Sequence, residues 1–254
     1  MIMKAALPPI LLTSSAFVAD YAVKLKDPAL RINHTIESVE KWLSVAPGIH
    51  LVICDGSGFD FSRIINDKFP QANIECLFFE TDKNLVQFHG KGYGEGEIIK
   101  HALLNSTSLK QSDFFVKCTA KLWVQNFQDC LDEWNGIFLC KATFLNVFSI
   151  KSTILDHIDT RFYMVNKDFY MKYFFAAHLH LGGTTGLSIE DTFLESVLVN
   201  GMEKVLFNTP PVICGVGGGT GKYYNNTLTK IIKEILRAKF VKNNPNFRHL
   251  FNEL

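Results

Sequence analysis

The sequence predicts an α/β protein whose central sheet is mixed but mostly parallel and is flanked by helices. Three apolar runs are typical of buried strands, at Ile10 to Thr13, Ile49 to Cys54 and Ile74 to Phe79. Segments with helical spacing separate them, and Pro47-Gly48 ends the first of these helices. Strands that alternate with helices in this way form parallel βαβ units, so a Rossmann-type sheet is expected.

The elements follow in order along the chain. The first helix has one apolar face that contains Ile32, Ile36, Val39 and Leu43. After the third strand, glycines at every second position from Gly90 to Gly96 predict a loop before a helix. The remaining predictions are a helix at 61–69, strands at 112–118, within 136–150, at 161–165 and near 205 and 212, and helices at 126–134, 168–177, 188–200 and 226–242.

Length and charge narrow the class of protein. A chain of 254 residues suits one large domain, with a nucleotide-binding part at about 1–125, an acceptor and catalytic part at about 126–225 and a basic C-terminal helix at about 226–254. The formal net charge of +1 argues against a general polyanion binder, so no nucleic-acid partner is expected.

Cysteine usage and the start of the chain bear on its location. The six cysteines are scattered and form no CxxC pair, so we expect reduced thiols in a cytoplasmic protein. Residues 1–20 resemble a secretion signal, but Pro8-Pro9 interrupts the apolar run, and we interpret Ile10 to Thr13 as a strand. No apolar stretch reaches the ~20 residues of a membrane-spanning helix.

Two glycine-containing segments suggest phosphate or nucleotide binding. The segment GVGGGTGK at 215–222 lacks the spacing and the final Ser or Thr of a P-loop, yet its backbone and Lys222 could hold a diphosphate. The segment DGSG at 55–58 follows a strand, as in many nucleotide-binding folds. A methyltransferase that uses S-adenosylmethionine is one alternative, although Cys54 then stands where an acid is usual.

Four segments taken together resemble the GT-A-fold glycosyltransferases, especially family 2. The strand that ends in DGSGFD resembles that family's nucleotide-binding turn, and GKGYGEGEIIKHAL occupies the place of its loop and helix after the third strand. FFVKCTAKLWVQNF stands where the family has its metal-binding strand, and LSIEDTFLESVL looks like its Glu-Asp helix. The resemblance covers roughly residues 10–200.

The resemblance implies a site for a nucleotide-sugar donor linked to UDP, GDP or CMP. Asp55 and Ser57 would then contact the base or the ribose. Lys91 precedes a predicted helix, where its charge favours phosphate, and Glu95 could bind sugar hydroxyls. A plain Asx turn at Asp55, a solvated Lys91 and a helix-start acid at Glu95 remain open.

The sequence departs from the family at the metal motif. Lys117-Cys118-Thr119-Ala120-Lys121 stands where two carboxylates are expected, so a divalent metal is doubtful there. Lys117 or Lys121 could neutralise the leaving phosphate instead of a metal, for example in a donor that leaves as CMP. Solvated or salt-bridged lysines remain the alternative.

The resemblance also implies a catalytic base. Glu190-Asp191 begins a helix, and by the resemblance Asp191 takes the proton of the acceptor hydroxyl, although acids are common at helix starts in any case. His178 and His180 could contact the acceptor or belong to a loop, and two histidines without a third ligand do not predict a metal site. Arg161 could hold an anion, but an ion pair with Asp159 is the preferred interpretation.

We therefore expect an inverting glycosyltransferase that acts on a glycan or a lipid-linked acceptor in bacterial surface polysaccharide synthesis. Transfer without a metal and transfer with one both stay open. The basic amphipathic helix at 226–242 either packs on the domain or lies on the inner face of an anionic membrane as a peripheral contact. A non-catalytic carbohydrate-binding protein is the remaining alternative.

Overall fold

The structure, a computed structural model, describes residues 7–182 and 186–252. The signal-like residues 1–6, and residues 183–185 of the loop after His180, lie outside the described part. Within it, β1 (Ile10–Ser14), β2 (Leu51–Asp55), β3 (Ile74–Phe78) and β4 (Phe114–Thr119) are parallel, and β7 (Ile154–Asn166) is antiparallel to both of its neighbours, β4 and β6 (Phe138–Leu145). These six strands form one sheet in the order β3-β2-β1-β4-β7-β6, which confirms the predicted mixed, mostly parallel α/β class.

Helices cover both faces of this sheet. They are α1 (Pro28–Val45), α2 (Ser62–Lys68), α3 (Lys83–His89), α4 (Lys91–Asn105), α5 (Thr107–Lys110), α6 (Phe127–Asp132), α7 (Lys167–Tyr173), α8 (Ile189–Val199) and α9 (Leu228–Lys242). Short 3-10 helices occupy Ala177–His180 and Arg248–Leu250. A second, antiparallel sheet contains β5 (Leu122–Val124), β8 (Ile213–Val216) and β9 (Tyr223–Tyr224).

Strands β1 and β2 are continuous apolar runs because both of their faces are buried. Leu11 packs in the core that also contains side chains of α4 and α8, whereas Ile10 and Leu12 pack in the core under α1. A parallel strand between two helical layers needs apolar side chains on both faces, which is why its sequence does not alternate. The six cysteines are free thiols, four of them buried, which agrees with the sequence-based expectation.

The prediction of a loop at the alternating glycines is wrong. Helix α4 begins at Lys91, directly after Gly90, and Gly92, Gly94 and Gly96 lie inside it. A Cβ atom on Gly96 would lie 2.2 Å from Cβ and Cγ of His178, and one on Gly92 would lie 2.9 Å from Leu181. These glycines therefore let side chains of other segments approach α4 closely. In a local sequence pattern, glycines with this role look the same as glycines of a loop.

Candidate active site

A cleft of about 300 Å³ lies at the carboxyl ends of the parallel strands. The lining includes residues 13–15 at the end of β1, Gly56 and Ser57 after β2, Thr119 at the end of β4, and Lys121 just after it. The first turns of α4, Glu190 of α8 and residues 217–220 complete the lining. Ligands of open α/β sheets bind at this edge, because the connections from two neighbouring strands leave in opposite directions there and a crevice opens between them.

Asp55 holds the turn but does not line the cleft. It is completely buried, and its Oδ1 accepts hydrogen bonds from the backbone N of Ser57 at 2.8 Å and of Phe59 at 3.2 Å, while Oδ2 accepts from the backbone N of Ala16 at 2.9 Å. Ser57 does line the cleft; its Oγ donates to Asp55 at 2.6 Å and accepts from the backbone N of Phe17 at 2.9 Å. Asp55 thus joins the ends of β1 and β2 and positions Ser57.

Lys117 and Glu95 form a buried ion pair with each other. The Lys117 side chain is fully buried and outside the lining, and its Nζ donates to Glu95 Oε1 and, at 2.7 Å, to the carbonyl of Thr160. Glu95 lines the cleft and its side chain is 24% exposed. Because Glu95 already compensates its charge, Lys117 is poorly placed to neutralise a ligand, and the salt-bridged alternative left open by the sequence describes it better.

Lys121 and Arg31 are buried cations of a different kind. Both line the cleft, with 2% and 6% of their surface exposed. Arg31 donates from Nε to the carbonyl of Ser15 at 2.6 Å and from Nη1 to the carbonyl of Leu25 at 2.9 Å, so both of its partners are neutral. Lys121 Nζ has no hydrogen-bond or ion-pair partner within residues 7–182 and 186–252. Such cations are destabilising when unpaired, which points to an anionic ligand.

Burial also perturbs the titration of these two groups. Desolvation, with a further contribution from neighbouring Arg31, lowers the pKa of Lys121 to about 7, and nearby Asp55 acts in the opposite direction. Desolvation lowers the pKa of Arg31 to about 10, again against Asp55. Strongly shifted groups inside a cleft are typical of functional sites.

The glycine segment at 217–219 packs directly on the cations. A Cβ atom on Gly218 would lie 2.9 Å from Lys121 Cε and 3.4 Å from Arg31 Nη1, and one on Gly219 would lie 3.3 Å from Lys91 Nζ. Lys91 is exposed and lines the cleft, whereas Lys222, also exposed, does not. The glycine segment thus borders the cleft with its backbone, whereas Lys222, which the sequence suggested for a diphosphate, does not line the cleft.

Sequence reasoning missed Arg31. It lies on the buried face of α1 together with Thr35, Ser38, Val39 and Trp42. The sequence did contain a signal, because Arg31 has the helical spacing of the residues on the buried face of α1. Arginine is rarely buried without a partner, so an arginine at such a position indicates a bound anion or an ion pair. Two hydroxyl groups were missed as well: Thr13 Oγ1 and Thr81 Oγ1 are buried, line the cleft and lack a hydrogen-bond partner in the described residues.

The two acids predicted to be catalytic, Glu190 and Asp191, differ in their environment. Glu190 lines the cleft and is partly exposed. Asp191 does not line it; its Oδ2 accepts from the backbone N of Ser188 at 2.8 Å and from Ser188 Oγ at 2.6 Å, which completes a capping box at the start of α8. These hydrogen bonds lower the pKa of Asp191 and make it a weaker base. The geometry therefore favours Glu190 over Asp191 as the group that faces a substrate.

Two further polar clusters have partners within the protein, and one of them, Asp159 with Arg161, also lines the cleft. Arg161 Nε donates to Asp159 Oδ1 at 2.8 Å, so the ion pair that the sequence favoured is present, and the guanidinium lies over the Tyr224 ring. His178 is buried, with Nε2 at 2.7 Å from Glu97 Oε1, and does not line the cleft.

Residues 117–121, at the end of β4 and just after it, do not fit a divalent metal ion. Lys117, Thr119 and Lys121 stand where the family resemblance implies carboxylate ligands, and Arg31 adds a further cation there. Among the described residues no group of three His, Cys, Asp or Glu side chains could hold a metal. Mg²⁺ and Mn²⁺ prefer carboxylate oxygens, and neighbouring cations repel them.

Comparison with known proteins now adds the fold type. No protein-family model matches the sequence, and no curated protein matches it. Among solved structures, the galactosyltransferase LgtC, in complex with donor and acceptor sugar analogs, is 9% identical with a TM-score of 0.56, over 97% of this chain and 84% of that chain.

Two other solved structures are less similar to this chain than LgtC is. The bifunctional glycosyltransferase WbbM is 10% identical with a TM-score of 0.47, over 93% of this chain and 45% of that chain. The 4-diphosphocytidyl-2C-methyl-D-erythritol synthase from Anaerococcus prevotii is 11% identical with a TM-score of 0.43, over 93% of this chain and 97% of that chain.

The fold and the cleft together define an α/β domain with a ligand crevice at the carboxyl edge of its sheet. The likeness to LgtC shows that this domain has a GT-A-like fold, as the sequence resemblance implied. At 9% identity it shows the fold alone, and the activity has to be argued from the cleft.

Proposed function

We propose that this protein is a glycosyltransferase that moves a sugar from a nucleotide-sugar donor to an acceptor hydroxyl. The observation that carries the proposal is the convergence, in one cleft of a GT-A-like fold, of Ser57, Lys91, Glu95, Lys121 and Glu190. These five residues belong to four segments that the family resemblance singled out, and they include two cations and two carboxylates.

The cleft offers each chemical function that sugar transfer needs. The hydroxyls of Thr13, Ser57 and Thr81 are suited to hydrogen-bond the nucleoside, and the cations favour the phosphates. The acceptor oxygen attacks the anomeric carbon while the bond to the phosphate oxygen breaks, and that oxygen keeps the electron pair. Glu190 takes the acceptor proton. A single displacement of this kind inverts the anomeric carbon.

The nucleotide is tested by thermal shift with UDP, GDP, CMP and S-adenosylmethionine. We expect one nucleotide to raise the melting temperature, because a ligand at 100 times its Kd stabilises the folded state by about 2.7 kcal/mol. Stabilisation by S-adenosylmethionine alone would instead favour a methyltransferase. Nucleotide binding without transfer to any acceptor would favour a non-catalytic sugar-binding protein.

Helix α9 supplies the proposed membrane contact, which suits a lipid-linked acceptor of the kind used in surface polysaccharide synthesis. Only Val241 of this helix is buried, and its other large apolar side chains are mostly exposed. The exposed ones are Leu228, Ile232, Ile235, Leu236 and Phe240. Phe148 of the β6–β7 connection packs on Phe240 at 5.5 Å and enlarges the surface. Within the described residues, no helix is long and apolar enough to cross a membrane.

The positive charge of α9 favours an anionic lipid surface as the partner of its exposed apolar face. Lys230, Lys233 and Lys239 are exposed on α9, and Glu234, its one acid, pairs with Lys141 at 2.7 Å. Apolar side chains flanked by lysines bind anionic membranes through both burial and attraction to headgroups.

Vesicle sedimentation tests this contact. We expect the protein to sediment with phosphatidylglycerol vesicles and about tenfold less after Ile232→Glu with Ile235→Glu, since each loses an apolar side chain that the lipid would bury. Leu104→Glu on α4, 52% exposed in the native chain, is the matched control. Equal sedimentation of all variants, or a dimer in solution that the double variant abolishes, would contradict the membrane assignment.

A further inference from the structure

A cluster of three cations surrounds the glycine segment 217–219 inside the cleft. Arg31 comes from α1, Lys91 from α4 and Lys121 from the connection between β4 and β5. The Cβ positions built on Gly218 and Gly219 lie within 3.5 Å of a nitrogen atom of each. The three side chains thus meet at one place although they are distant in sequence.

None of the three has a carboxylate partner among the described residues. Arg31 donates to two carbonyls, and no hydrogen bond or ion pair involves the Nζ atoms of Lys91 or Lys121. The acids nearest to Lys121 are engaged elsewhere: Asp55 accepts four hydrogen bonds within its turn, and Glu95 pairs with Lys117. The positive charge here is therefore left for a ligand, and two of its carriers are more than nine-tenths buried.

We infer that Arg31, Lys91 and Lys121, together with the backbone of the 217–219 segment, form a binding site for the phosphate groups of the donor that works without a divalent metal. The inference rests on the proposed function and adds its substrate class. Side-chain cations would then stabilise the charge that develops on the phosphate oxygen as the sugar leaves. Glycines 217–219 allow the segment to lie against the cations, since a side chain at Gly218 would collide with Lys121.

Inorganic pyrophosphate is the probe, with binding to the full chain measured by calorimetry in EDTA. We expect Lys121→Met to weaken binding about ten- to one-hundredfold, the range for loss of a hydrogen bond to a charged group. Arg31→Gln provides a second variant should the first fail to fold. Lys222→Met is the matched control, because Lys222 belongs to the same loop region but does not line the cleft. Its affinity should stay within about twofold.

The pH dependence gives an independent readout. Lys121 is surrounded by Arg31 of α1, Asp55 of β2, Glu95 of α4 and Lys117 of β4, and its pKa is lowered to about 7, mainly by burial. The ammonium is lost as the pH rises through that value, so pyrophosphate binding should weaken between about pH 6 and 8.5. This component of the pH dependence should be absent in Lys121→Met.

The outcomes separate this inference from the proposed function. Binding of pyrophosphate but of no nucleotide would support the phosphate site and overturn the glycosyltransferase. Nucleotide binding that requires Mn²⁺, or that Lys121→Met and Arg31→Gln leave unchanged, would overturn the inference while the proposed function stands. Absence of binding by either probe would overturn both.

Discussion

Glu190→Gln is expected to lower kcat about 10²- to 10³-fold while nucleotide affinity stays within about twofold, because a positioned general base typically contributes a factor of this size. The substitution keeps the shape of the side chain and removes only its ability to take a proton. Glu190 lines the cleft, so its carboxylate can reach an acceptor hydroxyl. The measurement is single-turnover transfer with the donor identified by thermal shift.

Asp191→Asn is the matched comparison for this prediction. Asp191 accepts both of its hydrogen bonds from Ser188 in the capping box, and it does not line the cleft. We expect a loss of about 1 kcal/mol in the free energy of unfolding and a change in kcat of only a few-fold. A larger kcat loss in Asp191→Asn than in Glu190→Gln would restore the assignment that the sequence resemblance implied.

The second large effect is on stability. Glu95→Ala is expected to lower the free energy of unfolding by about 3–5 kcal/mol, because it leaves the ammonium of Lys117 buried without a counter-charge. The Lys117 side chain is 0% exposed, so water cannot replace the lost carboxylate. For a chain of this length the melting temperature should fall by about 6–20 °C. Urea unfolding provides the free energy directly.

A double-mutant cycle controls for other effects of the substitution. Lys117→Met alone should be less destabilising, since it leaves behind Glu95, whose side chain is 24% exposed and can be hydrated. Adding Lys117→Met to Glu95→Ala should recover much of the lost stability, because no unpaired charge then remains buried. A loss below about 1 kcal/mol for Glu95→Ala would mean that the pair is not structural and would return Glu95 to the ligand-binding role.

Local sequence signals predicted much of the fold. Strands β1 and β2 are detectable because burial on both faces demands apolar runs, and α8 is detectable because Ser188 caps it. The errors are non-local. The glycines of α4 resemble a loop in sequence, but they exist because His178, 82 residues after Gly96, packs against the helix.

For the candidate site, too, local signals and non-local packing determine different features. The segments that the sequence singled out all border the cleft, namely the turn after β2, the start of α4, the end of β4 with Lys121, the start of α8 and the glycine segment. The sequence could not assign roles inside them. Lys117 and Lys121 are four residues apart and chemically identical, and α4 distinguishes them, because Glu95 reaches Lys117 and not Lys121.

Residue type and short-range spacing, by themselves, determined the class of the sheet, the order of its elements and the segments that border the cleft, since these follow from hydrophobic burial and local capping. Which charges are neutralised and which stay available to a ligand was settled only by the packing of α1, α4 and the 217–219 segment around the strand ends. Electrostatic pairing depends on distances of a few ångströms between residues as far apart in sequence as Arg31 and Gly218, and no local pattern encodes those distances.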